Sequence, residues 1–599
     1  MFSKRDWLLL VVAAGFIVLG VWMDLEIPRY LHRITLLVIE PGGTMGQVWV
    51  QGGYMLAFAF GSMATAFIIA WIGALVSSNH AQILRAKLFS KVGEFSAAEL
   101  KKFSVPSLIT RGTNDVTQVR TFTAMAVQML VRAPVMAVWA ILRISGTSWQ
   151  LSLVAFIAVA LLMIVLTFII IIALPRFNRI QKLTDKMNQV TRENLTGMRV
   201  VRAYNAQGFE QEKFEGVNKK LYRDNLVVNR CMGVFWPFIS LLMSTLVVAI
   251  YWVGSSIIGG HPNPSVFIAD MMVFSQYSGQ VIFAFMIMVM VLVFFPRTAV
   301  SARRINEVLR TEVSIVSPTG NNAVGLDLVD VPANKFLSFE NVSFSYPGAQ
   351  KPVLRDISLT IEKGQTVAFI GGTGSGKSTL VNLVPRIYDT TQGQITLGET
   401  CIRDMTLDEL NSAVGYIPQT ATLFTGTIRD NIALGDVLDK GEIVTPSDED
   451  VKEALKMAQA WKFVEKLGTE ETSWLDAPVS QGGKNFSGGQ KQRLAIARIL
   501  ARKPKILIFD DTFSALDYKT DTALRSALKK ARAKQSAADA QTTLIVAQRI
   551  GTIRDCDKIF VLDKGRIVGS GTHEELMKNC DVYIEIAKSQ LSKEELGVA

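Results

Sequence analysis

The chain has 599 residues, 49% of them hydrophobic and 19% charged, which is too apolar for an ordinary soluble enzyme of this length and puts much of it in lipid. Its formal net charge of +11 would suit a nucleic-acid binder, but in a membrane protein Lys and Arg held in cytoplasmic loops give the same excess. Four cysteines, Cys231, Cys401, Cys556 and Cys580, show no C-x-x-C spacing, so they read as reduced, inert thiols and not as a disulfide framework or a zinc site.

From the start of the chain, Trp7 to Met23 is a nearly unbroken apolar run preceded by Lys4 and Arg5. No A-x-A cleavage site follows and more spans come after it, so it reads as a first transmembrane helix and not a signal peptide. Further spans are predicted at 54–76, 123–144, 151–174, 233–258 and 271–295, with Pro296 closing the last. Arg132 and Arg143 lie within or at the end of the third; intramembrane charges face a bundle interior or an aqueous cavity, and a shifted span would explain them too. Asp24 and Glu26, just beyond the first span, read either as solvated loop charges or as a proton or cation site.

The connections settle the question of charge. Gly259 to Asp270 and Ser145 to Gln150 carry no Lys or Arg, whereas His80 to Arg120 holds Arg85, Lys87, Lys91, Lys101, Lys102, Arg111 and Arg120, and Arg176 to Arg230 is richer still. The positive-inside rule puts these two long segments and both termini in the cytoplasm, and no nucleic-acid partner is needed. Ile180, Leu183, Met187 and Val190 recur at helical spacing, so the long loops extend the membrane helices, turning near Val105 to Thr110 and near Tyr204 to Phe214. Residues 1–300 thus form a transmembrane domain, 301–335 a linker with a helical start (Ala302 to Leu309) that loosens through Pro318, Gly320 and Pro332, and 336–599 a soluble α/β domain.

That domain carries Gly371-Gly372-Thr373-Gly374-Ser375-Gly376-Lys377-Ser378-Thr379, which fits G-x-x-x-x-G-K-[ST] and lies between the apolar strand Thr366 to Ile370 and a helix start at Thr379 to Val384. Glycines let backbone N–H groups turn inward around phosphates, Lys377 adds a point charge, and the Ser378 hydroxyl can ligate Mg²⁺. Ile506 to Asp511 is an apolar strand ending in two carboxylates: Asp510 can hold the Mg²⁺ shell and Asp511 can face an attacking water. Ser487-Gly488-Gly489-Gln490, after Phe486, opens the helix Lys491 to Ala501 and makes a second anion-binding helix start. One triphosphate does not need two such devices in one domain, and two domains set head to tail would use both.

Together with Gln419 in Tyr416-Ile417-Pro418-Gln419 and with Ser514-Ala515-Leu516-Asp517, these motifs resemble the nucleotide-binding domain of ABC transporters, and six spans ahead of it resemble a half-transporter of the exporter class. The resemblance implies a membrane all-α domain of six long transmembrane helices followed by a cytosolic α/β P-loop ATPase domain with a helical subdomain. It also implies ATP and Mg²⁺ as ligands, Tyr346 stacking on adenine, Gln419 sensing Mg²⁺, and Ser487 to Gln490 touching ATP held by a second half-transporter chain.

Three positions depart from the family pattern. Asp511 stands where Glu is usual, about 1.5 Å short of a positioned water, and misplacement on that scale can cost about a hundredfold in rate. Gln548 stands where a switch His is usual; Gln donates a hydrogen bond but carries no proton or positive charge as His can. The only His in this half, His573, lies in a helix start, and Ala477 to Gly483 lacks the usual acidic residue. Loss at Asp511 and Gln548 damages hydrolysis but not binding, which is similar to the degenerate-site chain of heterodimeric bacterial multidrug exporters. The competing readings are a homodimeric exporter of lipid, peptide or drug with slow hydrolysis through Asp511, and an ATP-gated channel or regulatory subunit. Phe283, Phe285, Met286, Met288, Met290, Phe294 and Phe295 in the last span would suit a hydrophobic cargo, but suit lipid contact and helix packing better; Gln276 and Gln280 face a cavity or sit at a membrane boundary.

Overall fold

The computed structural model describes residues 3–591 apart from 41, 146, 147, 261, 319–334, 436, 440, 441, 469–472 and 536–539. Residues 319–334 of the expected linker, with Gly320 and Pro332, thus lie outside the described residues. The chain divides into two compact units, Met1–Val92 with Pro106–Arg310, and Gly93–Val105 with Thr311–Ala599.

Among the described residues six helices are long and apolar enough to cross a membrane: Lys4–Ile39, Met45–Gly93, Val105–Ile144, Trp149–Thr196, Gln207–Ile257 and Pro264–Leu309. The longest has 51 residues. At about 1.5 Å per residue it measures roughly 75 Å, more than twice the thickness of a hydrocarbon core, so it continues well past the lipid. Small residues allow close helix approach: a Cβ at Gly254 would lie 2.3 Å from the Met271 methyl. Pro296 does not close the last span, because the helix runs through it to Leu309; a proline removes a single backbone donor, which a long packed helix tolerates.

Asp24 and Glu26 are not loop charges, since the first helix continues through them to Ile39. Asp24 pairs with Arg132 at 2.8 Å and accepts the Ser62 hydroxyl, while Glu26, only 5% exposed, pairs with Arg143 at 2.6 Å and Arg29 at 3.2 Å. The two arginines of the third span therefore meet the two acids of the first, the arrangement that makes buried charge tolerable in lipid. Of the two glutamines, Gln276 is exposed and Gln280 half-buried.

The turn between the second and third long helices comes earlier than Val105. The chain turns at residues 94–96, enters a short helix Ala97–Phe103, and turns again at Ser104. Ser96 and Glu99 form a capping box, and the Phe95 and Phe103 rings stack 5.8 Å apart. The second turn falls at Tyr204 and Asn205, inside the expected stretch.

Among the described residues the second unit holds two larger sheets and two of only two strands each. One has four antiparallel strands in the order Leu354–Ile361, Leu337–Phe344, Gln392–Leu397, Thr400–Cys401. The other has six, Arg566–Gly571, Lys558–Asp563, Thr366–Gly371, Thr542–Val546, Ile506–Asp510, Val414–Ile417, all parallel but the first. Its central strands are apolar on both faces, and alternate residues feed different cores: Ala368 and Ile370 face one, Val367 and Phe369 the other. Phe486 packs into the first core beside Phe463 and the helix Asp448–Met457. The cysteines are free, and burial pushes the Cys556 thiol up to about 12, which keeps it an unreactive thiol.

Candidate active site

Four neighbouring parallel strands release the chain at the same edge of the sheet. From Thr366–Gly371 comes the glycine loop, from Ile506–Asp510 the two carboxylates, from Thr542–Val546 Gln548, and from Val414–Ile417 Gln419. Ligands of α/β sheets bind at this carboxyl edge. Four motifs scattered over 178 residues of sequence, from Gly371 to Gln548, thus become one constellation.

Close approach forces the glycines at both ends of the loop. A Cβ at Gly371 would lie 2.0 Å from the Leu562 carbonyl oxygen, and one at Gly376, whose φ is +104°, would lie 2.7 Å from Leu354. Between them Gly372 and Gly374 face open space, as a cradle requires. The Ser375 hydroxyl is buried and, among the described residues, has no hydrogen-bond partner. Such a group is costly unless a ligand satisfies it, so the loop fits a phosphate. Lys377 is buried and donates to the Gly371 and Gly372 carbonyls at 2.9 Å each, within the cradle. Burial pulls its pKa down, opposed by Asp511 and Asp510. Thr373 lies in the turn between these glycines.

Ser378 follows Lys377 on the helix Lys377–Asn382, and its hydroxyl donates to Asp510 Oδ1 at 2.7 Å. A hydroxyl beside a carboxylate is a hard-oxygen donor set of the kind Mg²⁺ takes. The other Asp510 oxygen accepts the Tyr416 hydroxyl at 3.0 Å. Both oxygens of that carboxylate are therefore oriented by the protein. Burial first, and then the Asp510 charge, push the Tyr416 phenol pKa upward, so it stays a donor. Tyr416 stands in a quoted motif, yet nothing in the sequence gives it this role; its partner is 94 residues away.

Asp511 adopts a left-handed backbone, φ +49°, at the turn after the strand. Its N–H donates to the Val546 carbonyl at 3.0 Å and its carbonyl accepts the Ser514 hydroxyl at 2.7 Å, which holds the turn. One oxygen, Oδ2, accepts two amide hydrogen bonds, from Gln548 at 2.7 Å and Gln419 at 3.1 Å. Burial and then the neighbouring Asp510 raise its pKa, while Gln548, Lys377 and Gln419 work the other way. Gln548 is in turn held through its backbone: the Gln590 side chain donates to the Gln548 carbonyl at 2.7 Å and accepts from the Ile550 N–H at 2.9 Å. His573 is no substitute for a switch histidine, since its Nδ1 lies 2.7 Å from the Tyr583 hydroxyl in another part of the unit.

Tyr346 is half-buried, its hydroxyl 3.0 Å from Thr379 Oγ1, with Phe344 and Tyr388 standing nearly perpendicular to its ring. Ser487 caps the helix Gly488–Ala501 through a capping box with Gln490. Among the described hydrogen bonds none joins Ser487, Gly488, Gly489 or Gln490 to the glycine loop. Ahead of it Pro478–Val479 pairs with Gly426–Thr427, and Gly482 takes a positive φ of +65°.

Residues 10–285 match the family described as ABC transporter transmembrane region, and residues 354–514 the one described as ABC transporter. An uncharacterized ABC transporter ATP-binding protein of Mycobacterium tuberculosis is 36% identical over 95% of this chain and 94% of its own. A probable multidrug resistance ABC transporter ATP-binding/permease protein of Bacillus subtilis is 31% identical over 86% of this chain and 84% of its own. The solved structure of a bacterial Atm1-family ABC exporter with ATP bound shares the fold, with a TM-score of 0.76 at 21% identity over 98% of each chain. With six apolar helices ahead of an ATP-binding domain on one polypeptide, and relatives aligned along nearly its whole length, the chain belongs to the ABC transporter family as a half-transporter of the exporter class.

Proposed function

We propose that this chain is one half of a heterodimeric ABC exporter that expels hydrophobic or amphipathic compounds across the cytoplasmic membrane, with both termini on the cytoplasmic side. Its own site binds ATP and Mg²⁺ and hydrolyses weakly, and its Ser487 to Gln490 segment completes the partner's site. The observation that supports this most is the Asp511 carboxylate, whose Oδ2 is occupied by two neutral amides. A general base must take a proton from water and have somewhere to stabilise the charge that follows; Gln548 and Gln419 can do neither. The intact cap at Ser487 supports the second half of the reading. The multidrug label of the Bacillus subtilis relative supports the cargo class.

In this reading the Tyr346 ring stacks on adenine, the loop N–H groups and Ser375 receive phosphate oxygens, and Lys377 exchanges the Gly371 and Gly372 carbonyls for phosphate. Ser378 and Asp510 hold Mg²⁺, which neutralises charge on the phosphates when bound. Tyr416 orients Asp510 for it. Tyr416→Phe is therefore expected to raise the Mg²⁺ concentration needed for half-maximal ATP binding by about tenfold, the usual cost of losing an outer-shell partner. A Mg²⁺ titration of nucleotide binding measures this, and an equal loss with Mg²⁺ chelated would show that Tyr416 merely supports the fold.

The upward shift of the Asp511 pKa favours the rival reading, a homodimer in which Asp511 is a slow but sufficient base. Steady-state hydrolysis by the purified chain alone in nanodiscs, with nucleotide binding measured beside it, separates the two. ATP binding with turnover about a hundredfold below that of an ordinary transporter is expected. Robust turnover that Asp511→Asn abolishes would make the homodimer correct.

A further inference from the structure

The short helix Ala97–Phe103 lies in sequence between the second and third membrane helices, yet residues 93–105 cluster with the soluble unit. It is a built element: Ser96 and Glu99 cap it, Phe95 and Phe103 clasp its ends, and the Ser96 hydroxyl lies 3.0 Å from that of Ser314. Lys101, on this helix, places its ammonium over the Tyr346 ring, 4.9 Å from the centroid. That distance is within the range of a cation–π contact. The ring beneath it is fixed by the Thr379 hydroxyl and by Phe344 and Tyr388, so it offers a set surface and does not swing aside.

We propose that Lys101 belongs to the nucleotide site, as a built-in competitor for the Tyr346 ring face on which the adenine base stacks. The inference rests on the reading that Tyr346 carries the base. An ammonium and a purine cannot cover one ring face together. Base stacking on an aromatic ring is the stronger of the two contacts, so a bound adenine nucleotide displaces Lys101. Each binding event thereby removes one contact between the Ala97–Phe103 helix and the ring, and the loop joining the second and third membrane helices registers whether a base is present. The contact also weakens nucleotide binding by whatever it is worth, a cost that a ligand lacking a base does not meet.

The two ligand classes give the test. Dissociation constants for ATP and for inorganic tripolyphosphate are measured on the full chain in nanodiscs, for the wild type, Lys101→Met, Tyr346→Ala and the double variant. Lys101→Met should bind ATP about two- to fivefold more tightly, the worth of an exposed cation–π contact, with tripolyphosphate affinity unchanged and the gain absent in the Tyr346→Ala background. Unchanged or weaker ATP binding by Lys101→Met would overturn the inference, as would an equal shift for tripolyphosphate, which would mean that Lys101 acts through charge on the phosphates. A Tyr346→Ala variant that binds ATP as the wild type does would remove the stacking reading itself, and Lys101 with it. Lys101→Gln serves in the same comparison should Lys101→Met not purify as a folded protein.

Discussion

Asp511→Glu combined with Gln548→His is expected to raise steady-state ATP hydrolysis by the chain alone about a hundredfold. One added methylene moves the carboxylate about 1.5 Å toward the position of an attacking water, and an error of that size in a catalytic group is worth about two orders of magnitude. The second change matters for a different reason. Gln548 now donates to Asp511 Oδ2 from 2.7 Å and cannot hold positive charge, whereas a histidine there can donate and can also become charged. Each single change should give only part of the gain, because a lengthened base still facing two amides stays engaged, and a histidine beside the short carboxylate leaves the water out of reach. Binding of ATP should be nearly unchanged in all three variants, as Lys377, Ser378 and Asp510 are untouched. A double variant that binds ATP as before and hydrolyses it no faster would show that the weakness lies elsewhere than in these two side chains.

Glu26→Gln should destabilise the membrane unit by about 2–3 kcal/mol, read as a lower melting temperature by fluorescence-detected size exclusion. Glu26 is 5% exposed and holds Arg143 at 2.6 Å; neutralising it leaves a guanidinium without its counter-charge inside a span. Removing one partner of a buried pair costs about 3–5 kcal/mol, and the Arg143 side chain, 34% exposed, is not fully buried, which puts the expectation just below that range. Arg29→Ala should cost far less, since its side chain is 53% exposed and such pairs contribute about 0–1 kcal/mol. Glu26→Leu with Arg143→Leu should recover most of the loss, because an apolar pair has no charge to desolvate. Equal stability of the Glu26→Leu single and double variants would show that Arg143 does not depend on Glu26.

These two cases also show what could be read in the residues beforehand. The glycine loop, the paired carboxylates and the capped Ser487 helix are local patterns, whose chemistry follows from spacing along a few residues. The six apolar helices are equally local, being set by length and hydropathy. What escaped is pairing at a distance. Asp24 and Arg132 are 108 residues apart, Glu26 and Arg143 117, and nothing in a run that changes from apolar to charged says that the helix continues to Ile39. Tyr416 reaches Asp510 only because their strands are neighbours, and Gln590 fastens the Gln548 turn from a C-terminal helix with no motif of its own. The early turn after the second long helix is different, for the Ser96-Ala97-Ala98-Glu99 capping signature was there to be read.

Chain order and spatial order part company at one place. Because Gly93–Val105 clusters with Thr311–Ala599, the soluble body is assembled from two separate stretches of polypeptide, with some two hundred residues of membrane unit between them. A gene fragment that starts at residue 311 would look like a complete domain on a sequence diagram and would still be missing a piece of itself. Ser314 would lose its neighbouring Ser96 hydroxyl, and the Tyr346 ring would lie bare of Lys101. Nucleotide affinities taken from such a fragment would describe a Tyr346 ring stripped of this neighbour.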